Sequence, residues 1–425
     1  MPKIKQLLVI VLPLMTVAYT WGTMAAPPSP EEMWRIIQQQ QRTIEELKAK
    51  LEATDEKVTA TDEKVEAATE TAEDRAVSPT PSWADKTHLG GYGELHYNNL
   101  ENDASGDDLD QVDFHRFVLY FGHDFNDWIR FFSELELEHS LSGDGETGEV
   151  ELEQAWVELD ITGHHHLRAG LDLIPVGIIN PTHEPPTFYG VERNPVETVV
   201  IPSTWWEAGI GLNGEVYPGW NYDVVLHSGL EVPTSGGSAF RIRDGRNKVS
   251  EASAEDGALT ARLRYTGYPG LELGVTGQYQ QDITQSSFVE DISAWLVEAH
   301  ADFRKGPFGL RALYARFELE EGPPGIGPAA FNADSLEGFY IEPSYRFLLP
   351  APIPGELGLF ARYNQFDDRN QLTPLRYIEF EQVDAGFNYW PHPDVVFKFD
   401  YQWQDAEALA KNEFDGFNLG LGYQF

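Results

Sequence analysis

From Lys86 to Phe425 apolar and polar residues alternate with a period of two. Val395, Phe397, Phe399, Tyr401 and Trp403 share one face; Lys398, Asp400 and Gln402 share the other. The last segment repeats the pattern, with Phe417, Leu419, Leu421, Tyr423 and Phe425 opposite Asn418, Gly420, Gly422 and Gln424. Ile129, Phe131, Leu135 and Leu137 alternate with Arg130, Glu134, Glu136 and Glu138, and Ala155, Val157, Leu159 and Ile161 with Gln154, Trp156, Glu158 and Asp160. Such alternation marks strands with one apolar face. The period alone does not say whether that face meets a core or lipid.

Connection lengths decide between the two. Strand centres fall near 93, 117, 133, 156, 168, 211, 225, 262, 276, 296, 313, 342, 360, 384, 399 and 419, about sixteen in all. Short turns are expected at His123–Asn126, Thr162–His164, Tyr217–Gly219, Gly267–Gly270, Lys305–Pro307, Pro350–Gly355 and Trp390–Asp394. Longer connections fall between them, at 99–110, 140–149, 173–205, 230–256, 282–288, 320–334, 366–373 and 405–412. Tight turns at one end and long loops at the other are expected of an all-β transmembrane barrel in an outer membrane, with outer-membrane lipid against its apolar face. An even strand number brings both ends of residues 86–425 to the short-turn, periplasmic side.

The preceding residues follow other rules. Lys3 and Lys5, the apolar run Leu7 to Ala18 and the small residues Thr23–Ala26 read as a signal peptide over 1–26. Residues 27–75 read as a periplasmic α-helical coiled coil. Ile37, Ile44, Leu51, Val58, Val65 and Ala72 recur every seventh position, and ATDEKV is repeated at 53–58 and 60–65. Its second seam is polar, so modest stability is expected. Residues 76–85 form a proline-containing linker.

Composition changes the picture little. Mean hydropathy is −0.38, and beyond the N-terminus no apolar run approaches the roughly 20 residues of a membrane helix. A barrel with a polar lumen fits both facts. The formal net charge of −39 argues against nucleic acid as a partner. It leans toward cations as the preferred solute, although external loops account for part of it. With no cysteine there is neither a disulfide framework nor thiolate chemistry. No nucleophile and base are brought together, so no catalytic residue, cofactor or metal ligand is assigned and the chain is not expected to be an enzyme. The tract His164–His166 reads as a solvated turn, and the prolines after His183-Glu184 rule out a helical zinc pair. The acidic stretch 100–110 lacks calcium-loop spacing.

The longest connection, Leu173–Trp205, is apolar, aromatic and proline-rich. Loops of this size are functional or disordered, and this composition argues for order. It is expected to fold into the lumen and narrow it, an external cap being the alternative. Candidate constriction residues are His183, Glu184, Tyr189, Glu192, Arg193 and Glu197. By alternation, Arg116, Arg130, Glu134, Glu136, Glu158, Asp160, Arg168, Asp172, Arg262, Arg264, Arg362 and Lys398 line the lumen. Rows of opposite sign there either set up a transverse field or pair and stiffen the wall.

The runs QAWVELD (154–160), LRAGLDLIPVG (167–177), YGVERNP (189–195) and IPSTWWEAGIGLNGE (201–215) resemble the phosphate-selective porin O and P family. The resemblance covers roughly residues 86–425. It implies a homotrimer, an infolded constriction loop and passive diffusion of small hydrophilic solutes or ions. Phosphate selection in that family relies on pore lysines and arginines. Here the long loop has Arg193 alone against Glu184, Glu192 and Glu197, which weakens the phosphate expectation. The terminal aromatic Phe425 resembles the signal read by barrel-assembly machinery. A rival role is structural, a barrel anchoring the envelope through contact of its coiled coil with peptidoglycan.

Overall fold

The computed structural model describes residues 82–369, 376–408 and 410–425, and Gln38 alone of the preceding chain. The signal segment, the heptad region (apart from Gln38) and residues 76–81 of the linker lie outside the described residues; Trp83–Lys86 form a short 3-10 helix before the first strand.

Sixteen antiparallel strands close into a barrel. They are β1 Thr87–Asn102, β2 Leu109–Asn126, β3 Ile129–Glu138, β4 Val150–Thr162, β5 His165–Leu173, β6 Trp206–Tyr217, β7 Trp220–His227 and β8 Ala258–Tyr268, then β9 Leu271–Gln280, β10 Ala294–Lys305, β11 Phe308–Leu319, β12 Ser335–Leu348, β13 Glu356–Arg369, β14 Tyr377–His392, β15 Val395–Ala406 and β16 Phe414–Gln424. Each strand pairs with its chain neighbours, and β1 pairs with β16. Every expected strand centre falls inside a strand.

The side chains are inverted relative to a water-soluble protein. Leu119, Leu135, Val275, Val297, Leu359 and Leu419 point out and are exposed. Glu134, Glu298, Asn364, Asp384, Asn388 and Asn418 point in and are buried. Lipid solvates the first set, and hydrogen bonds must satisfy the second.

Two corrections concern register. The first short turn is Asp127–Trp128, not His123–Asn126, because β2 pairs with β3 as far as Asn126↔Ile129. Asn126 Oδ1 accepts from the N–H groups of Trp128 and Ile129 and caps the turn. The second correction lies on β4. Glu134 pairs with Gln154 but Leu135 with Leu152, so Glu153 is an extra residue in a bulge. Strict alternation would send Glu153 and Glu151 out with Ala155 and Val157. The bulge shifts the phase and buries both carboxylates inside.

The short turns leave no room for side chains at key points. At Gly270, with φ +80°, an added Cβ would lie 2.1 Å from the Arg304 carbonyl oxygen. The long loops behave differently. Residues from 174–205, 228–257, 281–293 and 320–334 pack Trp205, Leu230, Phe240, Ile242, Ile283 and Ile292 against Leu296, Phe317 and Leu336 of the wall. This apolar core within the barrel explains why long loops are ordered.

Leu119→Arg on the exposed face of β2 is expected to cost about 2–4 kcal/mol when the barrel refolds into vesicles, the penalty for a charge in mid-bilayer. A urea series read by the heat-shifted band on a gel measures it. An unchanged midpoint would mean that Leu119 does not meet lipid.

Candidate functional site

The connection between β5 and β6 is closed at its neck by the backbone bond from Ile174 N–H to the Trp205 carbonyl, 3.0 Å. Asn180 locks the neck: its amide donates to the carbonyls of Ile174 (2.8 Å) and Trp205 (3.0 Å), and its oxygen accepts from Trp205 N–H (2.6 Å). Glu197 organises the interior. It accepts from the N–H groups of Ile178 (2.8 Å) and Ile179 (2.7 Å) and from the Tyr340 hydroxyl (2.8 Å). Burial pushes the Glu197 carboxyl up, against the opposing pull of these donors.

From this neck the loop reaches strands far from β5 and β6. Arg311 donates to the Thr187 carbonyl (3.0 Å), Arg362 to that of Tyr189 (3.2 Å), Asn388 to that of Phe188 (2.9 Å) and Trp390 Nε1 to that of Pro186 (3.2 Å). Val191 N–H donates to Asp400 (2.6 Å), and Glu192 pairs with His96 (2.9 Å). The loop's backbone groups are thereby paired inside the lumen, and its prolines bring no N–H to satisfy.

Phe188 separates two cavities. One, of about 540 Å³, is bounded by Gly306, Pro307 and Pro393 of the short turns. Its walls carry Arg262, Arg264, Arg304, Arg311 and Arg346 against Glu272, Asp302 and Glu342. The other, of about 350 Å³, is lined by Arg116, Arg193, Arg241 and Arg243 against Glu94 and Glu192, with His96 and His115. Lys398 lies over the Phe188 ring, its Nζ 3.5 Å from the ring centre.

The second cavity holds a knot of arginines. Arg193 donates to Thr204 Oγ1 (2.8 Å), Arg243 to the carbonyls of Thr198 (2.5 Å) and Ser203 (2.9 Å), and Arg246 to that of Thr204. Burial and the neighbouring Arg246, Arg241 and Arg193 pull the Arg243 guanidinium down to about 9, so it stays charged at neutral pH. Nε and Nη2 of Arg193 are buried without a hydrogen-bond partner among the described residues. Arg241 pairs with Asp244 (3.2 Å) and Arg116 with Glu94, but Arg193 and Arg243 make no salt bridge among the described residues, and their charge attracts an anion. Burial alone would raise the Glu192 carboxyl, but His96 beside it wins and holds it below the usual range.

Most expected lumen residues are paired along the wall. Arg130 bonds Glu158 and Asp160; Arg168 bonds Glu158 and Asp172; Arg362 bonds Glu342 and Asp384. Arg116 meets Glu94 (2.7 Å) and lies 3.9 Å from Glu136, Arg262 bonds Asp223, and Arg264 reaches Glu272. Of the expected constriction residues, Tyr189, Glu192 and Arg193 border the two cavities. Glu184 reaches the Tyr120 hydroxyl at 3.4 Å. His183 and Glu197 are enclosed between loop and wall rather than presented to the lumen, because each satisfies buried partners there. Glu134 is enclosed with them. Sequence reasoning missed Arg241, Arg243 and Arg246, which come from the connection 228–257 and carry no alternation signal. It also missed Glu151 and Glu153, hidden by the bulge.

The sequence profile of the phosphate-selective porin O and P family matches residues 89–425. A protein of Aquifex aeolicus (strain VF5), described as uncharacterized, is 31% identical over 342 residues, covering 76% of this chain and 77% of its own. Similar solved structures include an anion-selective porin from Comamonas acidovorans, with 12% identity, TM-score 0.53, and 80% of this chain and 99% of that one covered. Another is Pseudomonas putida OprB, with 11% identity, TM-score 0.54, and coverage of 80% and 94%. A third is the trimer form of Vibrio cholerae OmpT, with 11% identity, TM-score 0.50, and coverage of 80% and 100%. At these identities the solved structures bear on the fold alone.

Glu197→Ala is expected to strand two N–H groups and a hydroxyl, at about 1–3 kcal/mol for each group left unsatisfied. Glu197→Gln keeps an oxygen for the N–H pair and offers its NH₂ to the Tyr340 oxygen, so it should be far milder. Limited proteolysis of the folded protein compares them: the alanine variant should be cut within 174–205 and the glutamine variant should resist. Equal resistance would show that Glu197 does not hold the loop.

Proposed function

The chain belongs to the phosphate-selective porin O and P family, a passive outer-membrane channel on that ground, and we propose that its diffusion pathway favours small anions. The observation behind this is local. Both cavities beside Phe188 carry more arginine than carboxylate, although the whole chain is strongly acidic. A permeating ion responds to the charges within a Debye length, about 8 Å at physiological salt, more than to the total. Glu158, Asp160 and Asp172 are committed to Arg130 and Arg168, whereas Arg193 keeps free donors. This reverses the leaning that net charge alone suggests. Tyr189, Glu192 and Arg193 then act at the constriction, and Arg262, Arg264 and Arg311 act on the short-turn side.

The unit we infer is a homotrimer, as membership of the family implies. The heptad pattern of 31–75 supports a periplasmic coiled coil, once residues 1–26 are removed. A contact between that coiled coil and peptidoglycan is the second reading, favoured by the repeated ATDEKV seam.

Reversal potential in a planar bilayer under a KCl gradient tests the main reading. Anion preference is expected, and Arg193→Gln with Arg241→Gln should move it toward cations. Cation preference in the unmodified protein would overturn the proposal and restore the net-charge argument.

Deletion of 31–75 tests the second reading. The channel should still conduct. If the segment contacts peptidoglycan, the deleted form should no longer sediment with isolated cell wall; unchanged sedimentation would refute that contact.

A further inference from the structure

Behind the constriction loop, at the β4 bulge, three side chains from three separate segments converge. They are Glu134 of β3, Glu153 of β4 and His183 of the loop. All are buried, at 0%, 2% and 3% exposure, and one ligand-type atom from each lies within 4.8 Å of the other two. His183 Nε2 is 3.4 Å from Glu134 Oε1 and 3.6 Å from Glu153 Oε2. These spacings are long for hydrogen bonds. Two ligands each about 2.0–2.2 Å from a tetrahedral zinc ion lie roughly 3.3–3.6 Å apart, which the two spacings from His183 match.

The supporting bonds point the same way. His183 Nδ1 is 3.0 Å from the Asn180 carbonyl, so Nδ1 carries a proton and Nε2 is the nitrogen aimed at the two carboxylates, where a metal ion would replace its proton. Gln154 Nε2 donates to Glu134 Oε2 and turns Oε1 toward His183. Glu153 Oε2 is buried without a hydrogen-bond partner among the described residues, as are Glu136 Oε2 and the Tyr92 hydroxyl. Tyr92 packs edge-on against His183, with ring centres 5.9 Å apart. Each buried polar atom left unpaired forgoes the hydrogen bonds it had in water, which destabilises the site. A bound ion would remove that cost where it ligates them.

We propose that Glu134, Glu153 and His183 form a binding site for a divalent transition-metal ion, zinc in particular, that pins the constriction loop to the barrel wall. One imidazole with two carboxylates suits such an ion. Arg116 and Arg193 also act on Glu153, so the local charge is balanced rather than purely acidic. The ion joins the loop to β3 and β4, on the wall away from the bonds to β11–β15. Metal and proton compete for Nε2, so uptake weakens as pH falls.

The test uses full-length protein folded in detergent, stripped with chelator and titrated with zinc chloride by calorimetry, with metal content counted after dialysis. Folding of each variant is checked by its heat-shifted band. The unmodified protein should hold one more zinc per chain than Glu153→Gln or His183→Gln. Affinity at that site should fall more than about 100-fold in either variant, beyond what loss of one supporting hydrogen bond costs. Equal stoichiometry and affinity in all three proteins overturns the proposal. So does zinc uptake that disappears only when His164–His166 are replaced, and so does failure of the unmodified protein to bind zinc. No ion current is measured, so the result stands apart from the anion reading.

Discussion

In hydrocarbon there is no water to satisfy a backbone N–H or carbonyl, and each one left bare costs several kcal/mol. The seam between β1 and β16 answers that constraint. Tyr92–Asn102 pair with Phe414–Gln424, and beyond them Gly91 and Phe425 exchange N–H···O bonds of 3.0 and 2.9 Å. Once the sheet is closed no edge remains, and the outward face is free to be apolar. Everything else in the molecule uses the space that closure creates.

That space is filled in two ways. Along the wall, opposite charges on neighbouring strands satisfy one another, as Arg168 does with Glu158 and Asp172. Across it, the long connections bring an apolar core of their own, with Trp205 and Phe240 fully buried. The loop 174–205 belongs to both. Its aliphatic side chains join the core, and its carbonyls take the arginine and asparagine donors of the far wall. The pathway is left on either side of Phe188, where guanidinium groups outnumber carboxylates.

Sixteen strands and the alternation of turn and loop were legible because lipid on one side and polar side chains on the other impose a strict period of two. The resemblance carried by YGVERNP and IPSTWWEAGIGLNGE held for the family as well. Legibility stopped where the period breaks. The bulge at Glu153 hides two buried carboxylates, and the turn at Asp127–Trp128 is displaced because β2 continues past His123. Charge was the weaker guide. A total of −39 has no position, whereas the Arg193 cluster arises from two connections some fifty residues apart that meet only in the fold. The heptads of 31–75 lie outside the described residues.

The far-reaching bonds of the constriction loop also dictate an order of events in assembly. Val191 and Asp400 are separated by 209 positions, and Asn388 and Phe188 by 200. Contacts this distant in sequence come only after the closure entropy of the intervening chain has been met. The loop leaves β5, yet its docking partners stand on β11 to β15 and on β1, the strands that complete the ring. The full set of loop contacts therefore needs strands from both ends of the chain, and the lumen has its narrowed form only in the closed ring.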